Sequence, residues 1–267
     1  MALRAYAEVT SLAEALSAEG VRVELFEDER DDLPDSVFPN NWFSTHSGGH
    51  IALYPMCTPN RRGERRYDII EHLKATYRVQ TVTDYSGLEL DDVFLEGTGA
   101  MVLDHESRIA YVARSRRADP IALERFCTNF GYEPIAFEAV DEYGIPIYHT
   151  NVLMCVATDF ALVGLRHITD PGRREQVVER LSARREVVEL NARQVREFAG
   201  NAIELTGASG RILVISERGR AALTDDQVRV IERSARIVAV PVPTVELAGG
   251  SVRCMIAGVH LDRRPRA

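Results

Sequence analysis

The chain has 267 residues, 45% of them hydrophobic and 27% charged, and its 40 acidic residues outnumber 32 basic ones to give a net charge of −8. This composition is typical of a soluble globular protein with one large domain or two small ones. An acidic chain is a poor partner for nucleic acid or for an anionic membrane surface, so neither is expected as a ligand. No apolar stretch is long enough to span a bilayer.

The N-terminus and the cysteines indicate the cellular compartment. The first twenty residues look amphipathic and contain no continuous apolar segment, so no signal peptide is predicted. The cysteines form no C-x-x-C pair and lie far apart in the sequence, at Cys57, Cys127, Cys155 and Cys254. This pattern predicts free thiols in a reducing cytoplasm, with neither a disulfide framework nor a zinc site.

The predicted elements recur in the order strand, strand, helix, strand. From residue 41, NWFSTHSGGHIALYPM is a hairpin with Gly48 and Gly49 at its turn, RRYDIIEHLKATY a helix and RVQTVTD a strand. From residue 98, TGAMVLD and IAYVARS are strands, ADPIALERFCTNFG is a helix closed by Gly131, and EPIAFEAV is a strand. Two strands therefore meet directly as a hairpin in each unit, which disfavours a simple open α/β sheet.

Two further units follow in the same order. From residue 151, NVLMCVA and FALVGL are strands, REQVVERLSARR is a helix and EVVEL a strand. From residue 201, AIELTG and RILVISE are strands, TDDQVRVIERSA is a helix capped by Thr224, and RIVAVPV is a strand. The unit starts are spaced by about fifty residues, a period that is typical of a propeller or a repeat array.

A fifth unit is predicted to join the two ends of the chain. SVRCMIAGVHL at the C-terminus supplies its first strand, residues 3–19 its helix and VRVELF its last strand. Such an arrangement closes a ring and removes exposed sheet edges. The second strand of this unit is missing, so we expect either that the natural protein begins upstream of Met1 or that the ring has an open seam. An open seam would favour association into homo-oligomers.

Each unit is entered through a short polar or glycine-rich segment. In a ring of repeats, equivalent positions point to one place near the axis, so these segments are expected to bring together Asp35, Asn40, Asn41, Glu96, His149, Asn151, Asn201 and Cys254. A cysteine, a histidine and two acids in one cavity form a reactive set. Cys254 follows Gly249, Gly250 and Arg253, a polar approach that favours a thiolate, whereas the other cysteines are expected in the core. The basic cluster at Arg61, Arg62, Arg65 and Arg66 is interpreted as a solvated helix start.

The motifs at these positions resemble those of the guanidine-modifying enzymes of the pentein superfamily. They are DSVFPNNWFSTH, LEGTGAMVLD, IPIYHTNVLMCV, FAGNAIEL and GGSVRCMIAGVHL. Together they cover almost the whole chain and are most similar to the citrulline-utilisation hydrolase group. The resemblance implies an α/β fold of five pseudosymmetric ββαβ units, with one unit shared by the two termini, and a single catalytic domain over residues 1–267.

The resemblance also implies roles for individual residues. Cys254 matches the nucleophile, and His149 matches the general acid/base that stabilises the thiolate and protonates the leaving nitrogen. Glu96 matches an acid that supports the histidine or binds a substrate nitrogen. The positions matched to substrate binding are Asp35, Asn40, Asn41, Asn151, Asn201 and Arg117, with Arg116 as the alternative to Arg117 for the α-carboxylate. Asn40 and Asn41 replace acids found in the dimethylarginine enzymes, although N-succinylarginine dihydrolase also has paired asparagines.

The implied function is cysteine-dependent hydrolysis of a C–N bond in a small-molecule ureido or guanidino amino acid. Citrulline is the favoured substrate, giving ornithine, ammonia and CO2, and no metal or organic cofactor is expected. A hydrolase or deiminase of an arginine derivative and an amidinotransferase remain open within the same superfamily. A catalytically inactive metabolite-binding protein is the alternative from another class.

Overall fold

The computed structural model of the chain describes residues 1–28, 30 and 32–265. Four of the predicted units appear there as separate three-stranded sheets. In each sheet the second strand lies in the middle, antiparallel to the first strand and parallel to the third. A helical connection joins the second strand to the third, as parallel pairing requires. The α/β class and the order strand, strand, helix, strand are thereby confirmed.

The elements are short and follow one another closely. The strands are β1 (Phe43–His46), β2 (His50–Leu53), β3 (Thr81–Asp84), β4 (Met101–Asp104), β5 (Ile109–Ala113), β6 (Glu133–Phe137), β7 (Met154–Val156), β8 (Phe160–Val163), β9 (Glu186–Glu189), β10 (Ile203–Gly207), β11 (Gly210–Ser216) and β12 (Arg236–Val240). The α-helices are α1 (Ala2–Ala18), α2 (Tyr67–Thr76), α3 (Gly97–Ala100), α4 (Pro120–Phe130), α5 (Pro171–Ser182), α6 (Ala192–Arg196), α7 (Glu217–Ala222), α8 (Asp225–Glu232) and α9 (Pro243–Glu246). Within the described part of the chain, no helix has both the length and the apolar character needed to cross a membrane.

The second unit shows how the sequence sets the helix boundaries. Asp119 caps α4 by accepting a hydrogen bond from the backbone amide of Ile121. Pro120 occupies the first helical position, where its missing N–H group is not needed. Gly131 ends the helix with a φ of 65°, a left-handed conformation that glycine adopts without steric penalty. The predicted helix is therefore confirmed, together with the residue that ends it.

The middle strands form the core of the molecule. All residues of β5 and β8 are buried, whereas both ends of β3 and β9 are exposed. A strand that is covered on both faces needs apolar side chains at successive positions, which explains the runs IAYVA and FALV. The largest apolar cluster contains residues of the second, third and fourth units. Packing between units therefore fixes the position of each sheet beside its neighbours.

The fifth unit departs from the prediction. Helix α1 forms as expected, but neither residues 21–26 nor residues 251–261 form a strand in the described part of the chain. In the four complete sheets, the first and third strands bond to the middle strand and not to each other. The described part of the fifth unit contains no middle strand, so its two flanking segments have no ladder partner. The prediction of two strands here is wrong for this reason, and association through an open seam stays a prediction.

Candidate active site

The polar segments that enter the units form turns at one end of the sheets. The side chains on these turns are Asn40 and Asn41 before β1, Glu96 before β4, His149 and Asn151 before β7, Asn201 before β10, and Cys254 in the last turn of the chain. All of them are buried. Residues that are far apart in the sequence thus meet because each occupies the same place in its own unit.

A cavity of about 320 Å³ lies at this meeting point. Its lining includes Asp35, Asn41, Arg117, His149 and Cys254. Arg116 is exposed and does not line the cavity, so of the two arginines only Arg117 contributes to its wall. Behind the lining, and joined to it by hydrogen bonds, lie Asn40, Glu96, Asn151 and Asn201.

The sulfur of Cys254 accepts hydrogen bonds from two side-chain amides. The Nδ2 atom of Asn151 lies 3.2 Å from Sγ, and that of Asn201 lies 3.3 Å from it. The backbone N–H of Arg253 donates to Oδ1 of Asn201 at 3.1 Å, which fixes the orientation of that amide. Both amides therefore offer N–H donors to negative charge that develops on the sulfur. Asn151 and Asn201, expected to bind substrate, direct these donors at the Cys254 sulfur.

His149 and Glu96 form a buried pair. The histidine Nε2 lies 2.8 Å from Oε2 of Glu96, which also accepts from Arg117 at 3.2 Å. Burial raises the pKa of Glu96, but the hydrogen bond from His149 and the charges of Arg117 and Arg61 outweigh it and lower that pKa to about 2. Burial lowers the pKa of His149, although Glu96 opposes this shift. An ionised carboxylate only accepts, so Nε2 carries a hydrogen, and in the neutral ring Nδ1 is an acceptor.

Arg61 is a site residue that the sequence interpretation missed. Its side chain is only 3% exposed and makes two hydrogen bonds to Glu64, at 2.8 and 2.9 Å. A third bond reaches Oδ1 of Asn41 at 2.9 Å, and the carboxylates of Glu96 and Asp35 lie 3.6 and 3.9 Å away. The interpretation of this arginine as part of a solvated helix start is therefore wrong. The only signal in the sequence was an acid three residues further on, at a spacing that allows pairing.

Arg61 also determines how the two asparagine amides are oriented. A guanidinium only donates, so Asn41 must present its oxygen to Arg61 and its Nδ2 to the other side. That Nδ2 donates to Oδ1 of Asn40 at 3.0 Å. Among the described residues, the Nδ2 of Asn40 has no hydrogen-bond partner, and the second hydrogen of the Asn41 amide is bonded to none. Of the pair, Asn41 lines the cavity, and there it offers a donor and not an acceptor.

Metal-binding groups are not evident. Within residues 1–28, 30 and 32–265, no three histidine, cysteine, aspartate or glutamate side chains cluster in a way that could hold a metal ion. All four cysteines are free thiols.

The chain is similar to known proteins in both sequence and structure. The sequence model of the family described as "N,N dimethylarginine dimethylhydrolase, eukaryotic" matches residues 1–261. Comparison with the sequences of curated proteins gives no match.

Several solved structures share the fold. ArgZ, an arginine dihydrolase from the ornithine-ammonia cycle in Cyanobacteria, superposes with a TM-score of 0.73 at 19% identity over 99% of this chain, which spans only 38% of the ArgZ chain. The N-terminal domain of ArgZ, in a variant bound covalently to a reaction intermediate, gives 0.76 at 19% identity, covering 96% of this chain and 86% of that domain. A dimethylarginine dimethylaminohydrolase adduct with S-methyl-L-thiocitrulline superposes with a TM-score of 0.68 at 15% identity. The match covers 95% of this chain and 87% of that chain. At these identities the likeness establishes the fold.

Proposed function

Because the chain belongs to the N,N dimethylarginine dimethylhydrolase family, within the pentein guanidine-modifying superfamily, we propose that it is a cysteine-dependent hydrolase of a ureido or guanidino amino acid. Cys254 is the nucleophile, and His149 is the general acid and base. The observation that carries this assignment is the buried Cys254 sulfur, which two amides hold in the same cavity as His149. The chain acts as a single catalytic domain, and its preferred substrate is citrulline.

The first half-reaction forms a covalent intermediate. Arg117, at the cavity wall, pairs with the substrate α-carboxylate, and the ureido carbon lies against the sulfur of Cys254. The thiol proton passes to His149, whose ring Glu96 holds with Nε2 already protonated. The thiolate attacks the ureido carbon, and His149 returns the proton to the departing nitrogen, which leaves as ammonia. The substrate remainder is bound to Cys254 as a thiocarbamate.

The second half-reaction restores the enzyme. Water attacks the thiocarbamate carbon while His149 accepts a proton from it. The C–S bond breaks, and the sulfur returns to the paired amide donors of Asn151 and Asn201. The released carbamate separates into ornithine and CO2. In total, one citrulline and one water are converted into one ornithine, one ammonia and one CO2.

The preference for citrulline rests on the asparagine pair. A ureido group is neutral and has a carbonyl oxygen that needs a donor, whereas a guanidinium is a cation with donors only. Because Arg61 holds the Asn41 oxygen, the amide hydrogens of Asn41 face the other way. Asn41 lines the cavity and donates to the ureido oxygen, where negative charge develops during attack.

A second candidate is hydrolysis of arginine, and the acidic side chains favour it. Asp35 lines the cavity, and Glu96 lies directly behind His149. Ionised carboxylates stabilise a bound guanidinium through charge-assisted hydrogen bonds. ArgZ, which shares the fold, is named an arginine dihydrolase. An enzyme that accepts both substrates would release ammonia twice from arginine and once from citrulline.

Replacing Asn41 by aspartate should shift the preference from citrulline towards arginine. The change removes the donor for the ureido oxygen and leaves an acceptor there, which suits a cation. Losing one buried hydrogen bond and gaining an unmatched acceptor corresponds to a fall of about 10- to 100-fold in the ratio of kcat/KM for citrulline to that for arginine. Ammonia and ornithine release from both substrates gives this ratio for the wild type and the variant.

Asn60→Asp is the matched control, because it makes the same chemical change at an exposed position on the turn Pro59–Glu64. Its ratio should equal that of the wild type. The citrulline assignment is wrong if the wild type prefers arginine or if Asn41→Asp leaves the ratio unchanged. Release of ammonia from neither substrate would contradict the proposed hydrolase function, and product formation only with an added amine acceptor would favour an amidinotransferase.

Gly99→Ala should reduce turnover by about 100-fold, the effect of a displacement of roughly 1 Å in a catalytic group. A Cβ at residue 99 would lie 2.3 Å from Nδ2 of Asn41 and 3.0 Å from Nδ1 of His149, so both side chains must move. At Gly87, which is exposed, a Cβ would meet nothing within 4 Å, and Gly87→Ala should keep wild-type kinetics. Equal kcat/KM values for the two variants would contradict the packing of Gly99 against the site.

A further inference from the structure

A second cavity, of about 270 Å³, adjoins the catalytic cavity. The linings of the two cavities share Tyr148 and Gly249. The hydroxyl of Tyr148 donates a hydrogen bond to the carbonyl oxygen of Gly249, so the two shared residues are bonded to each other where the linings meet. A Cβ at residue 249 would lie 2.9 Å from that hydroxyl, so the contact depends on glycine. The second cavity is called the adjoining cavity below.

The walls of the adjoining cavity are mainly apolar. Ile147, Val152, Val195 and Phe198 contribute to its lining. Phe198 has a φ of 60°, a left-handed conformation that is rare for a large side chain and is retained chiefly at functional sites. The guanidinium of Arg218 lies 5.4 Å from the centre of the Phe198 ring, which keeps this wall in place. The cavity is therefore suited to an apolar group of defined size.

The charged residues at the adjoining cavity are acidic on balance. Asp141 and Glu142 both line it, and Arg196 forms a salt bridge with Glu142. The carboxylate of Asp141 accepts hydrogen bonds from backbone amides and has no arginine or lysine partner among the described residues. A ligand group with its own negative charge would be repelled here. The cavity thus favours a neutral group over an anionic one.

The proposed function brings the α-amino nitrogen of the substrate near the residues that the two cavities share. The reacting carbon lies at Cys254, and the α-carboxylate pairs with Arg117. The guanidinium of Arg117 lies 5.2 Å from the centre of the Tyr148 ring. Since the amine and the carboxylate share one carbon atom, a carboxylate paired with Arg117 brings the amine within reach of Tyr148, which lines both cavities. A substituent on that nitrogen points at the boundary behind which the adjoining cavity lies.

We propose that the adjoining cavity binds a neutral apolar acyl group on the α-amino nitrogen, and that the enzyme acts on N-acylated ureido or guanidino amino acids. This inference rests on the proposed function for the catalytic cavity. Entry of the acyl group separates the Tyr148 hydroxyl from the Gly249 carbonyl and joins the two cavities. Tyr148 is then a specificity-determining residue, because it decides how far the substrate can extend from its amine.

The first test is a substrate series of N-formyl-, N-acetyl-, N-propanoyl- and N-butanoylcitrulline, with the same four derivatives of arginine. Burial of each methylene should raise kcat/KM about fourfold along the series. N-succinyl derivatives, which match the butanoyl group in length but end in a carboxylate, should fall below the butanoyl derivatives by about tenfold or more. A flat or falling series, or a succinyl derivative better than the butanoyl one, would overturn the proposal.

The second test fills the cavity. Val195→Phe should lower the butanoyl-to-formyl ratio of kcat/KM by about tenfold or more, because the larger side chain occupies the space of the acyl group. Val187→Phe is the matched control, since Val187 is half-buried on β9 and lines neither cavity. The control should keep the wild-type ratio. An equal loss of the ratio in both variants would overturn the assignment of the acyl group to this cavity.

Calorimetric binding of the same series to folded Cys254→Ser protein separates this inference from the proposed function. Affinity should rise from formyl to butanoyl even though no turnover occurs, and this measurement does not depend on Val195→Phe folding. If citrulline is hydrolysed and the affinities do not rise, the acyl subsite is wrong and the hydrolase stands. If the affinities rise but wild-type protein turns over neither free nor acylated substrates, the subsite stands and the hydrolase function is wrong.

Discussion

Cys254→Ser should remove turnover of every substrate, with a loss on the order of 10⁵- to 10⁶-fold, the size found when the nucleophile of a hydrolase is removed. Serine has nearly the same shape, so the contacts with Asn151 and Asn201 can persist and the fold should be kept. A hydroxyl holds its proton far more tightly than a thiol, so proton transfer to His149 would not restore the lost thiolate. Steady-state ammonia release together with circular dichroism measures activity and fold in parallel.

Cys127→Ser is the control, because it changes a buried cysteine on α4 far from the cavity. It should lose some stability, since a hydroxyl replaces a core thiol, but should retain turnover. In the wild type, iodoacetamide should label Cys254 before the three other cysteines, and this fast phase should vanish only in Cys254→Ser. Substantial hydrolysis by a folded Cys254→Ser protein would rule out the covalent mechanism.

His149→Ala should reduce kcat by about 10²- to 10⁴-fold, the usual contribution of a general acid or base. The histidine transfers a proton in both half-reactions, so both the formation and the hydrolysis of the intermediate should slow. Alkylation of Cys254 should change much less than turnover, because the donors to the sulfur are the amides of Asn151 and Asn201. Single-turnover kinetics and iodoacetamide rates measure the two effects separately.

His72→Ala serves as the control, since His72 lies on α2 at the surface and pairs with Glu24. Its kinetics should match the wild type. A fall of less than tenfold in His149→Ala would exclude the acid/base role. If alkylation fell as much as turnover, His149 would act mainly by stabilising the thiolate, and the assignment of that task to the two asparagines would be wrong.

The fold could be predicted from local signals wherever an element and its partner lie close in the sequence. The left-handed pair Gly48 and Gly49 forms the hairpin turn of the first unit, and Thr224 caps α8 as expected. The segment VRVELF failed as a strand although valine, leucine and phenylalanine are common in strands. Strand formation depends on a neighbour that supplies the ladder, and residues 21–26 have no such neighbour in the described chain.

The candidate site could be predicted as a set of positions but not as a network of contacts. The place of Cys254, His149 and Glu96 at the unit entries followed from the repeat. The burial of Arg61 did not, because it depends on Glu64, Asn41 and two further carboxylates that meet only in three dimensions. The orientation of an asparagine side-chain amide cannot be predicted from the sequence either. Asn151 and Asn201 were therefore assigned to the substrate, while their Nδ2 atoms face the sulfur.

The meeting of the units at one end of the sheets has a consequence for how the protein acquires its activity. The bond between His149 and Glu96 joins residues 53 positions apart, and the bond between Asn151 and Cys254 spans 103 positions. Contacts between residues so far apart in the sequence form late, because closing the large loops between them costs conformational entropy. Each unit can reach its native hairpin by local steps, but no fragment with fewer than all the contributing units contains the complete reaction centre. Activity recovered during refolding therefore reports the last assembly step, after secondary structure has already returned.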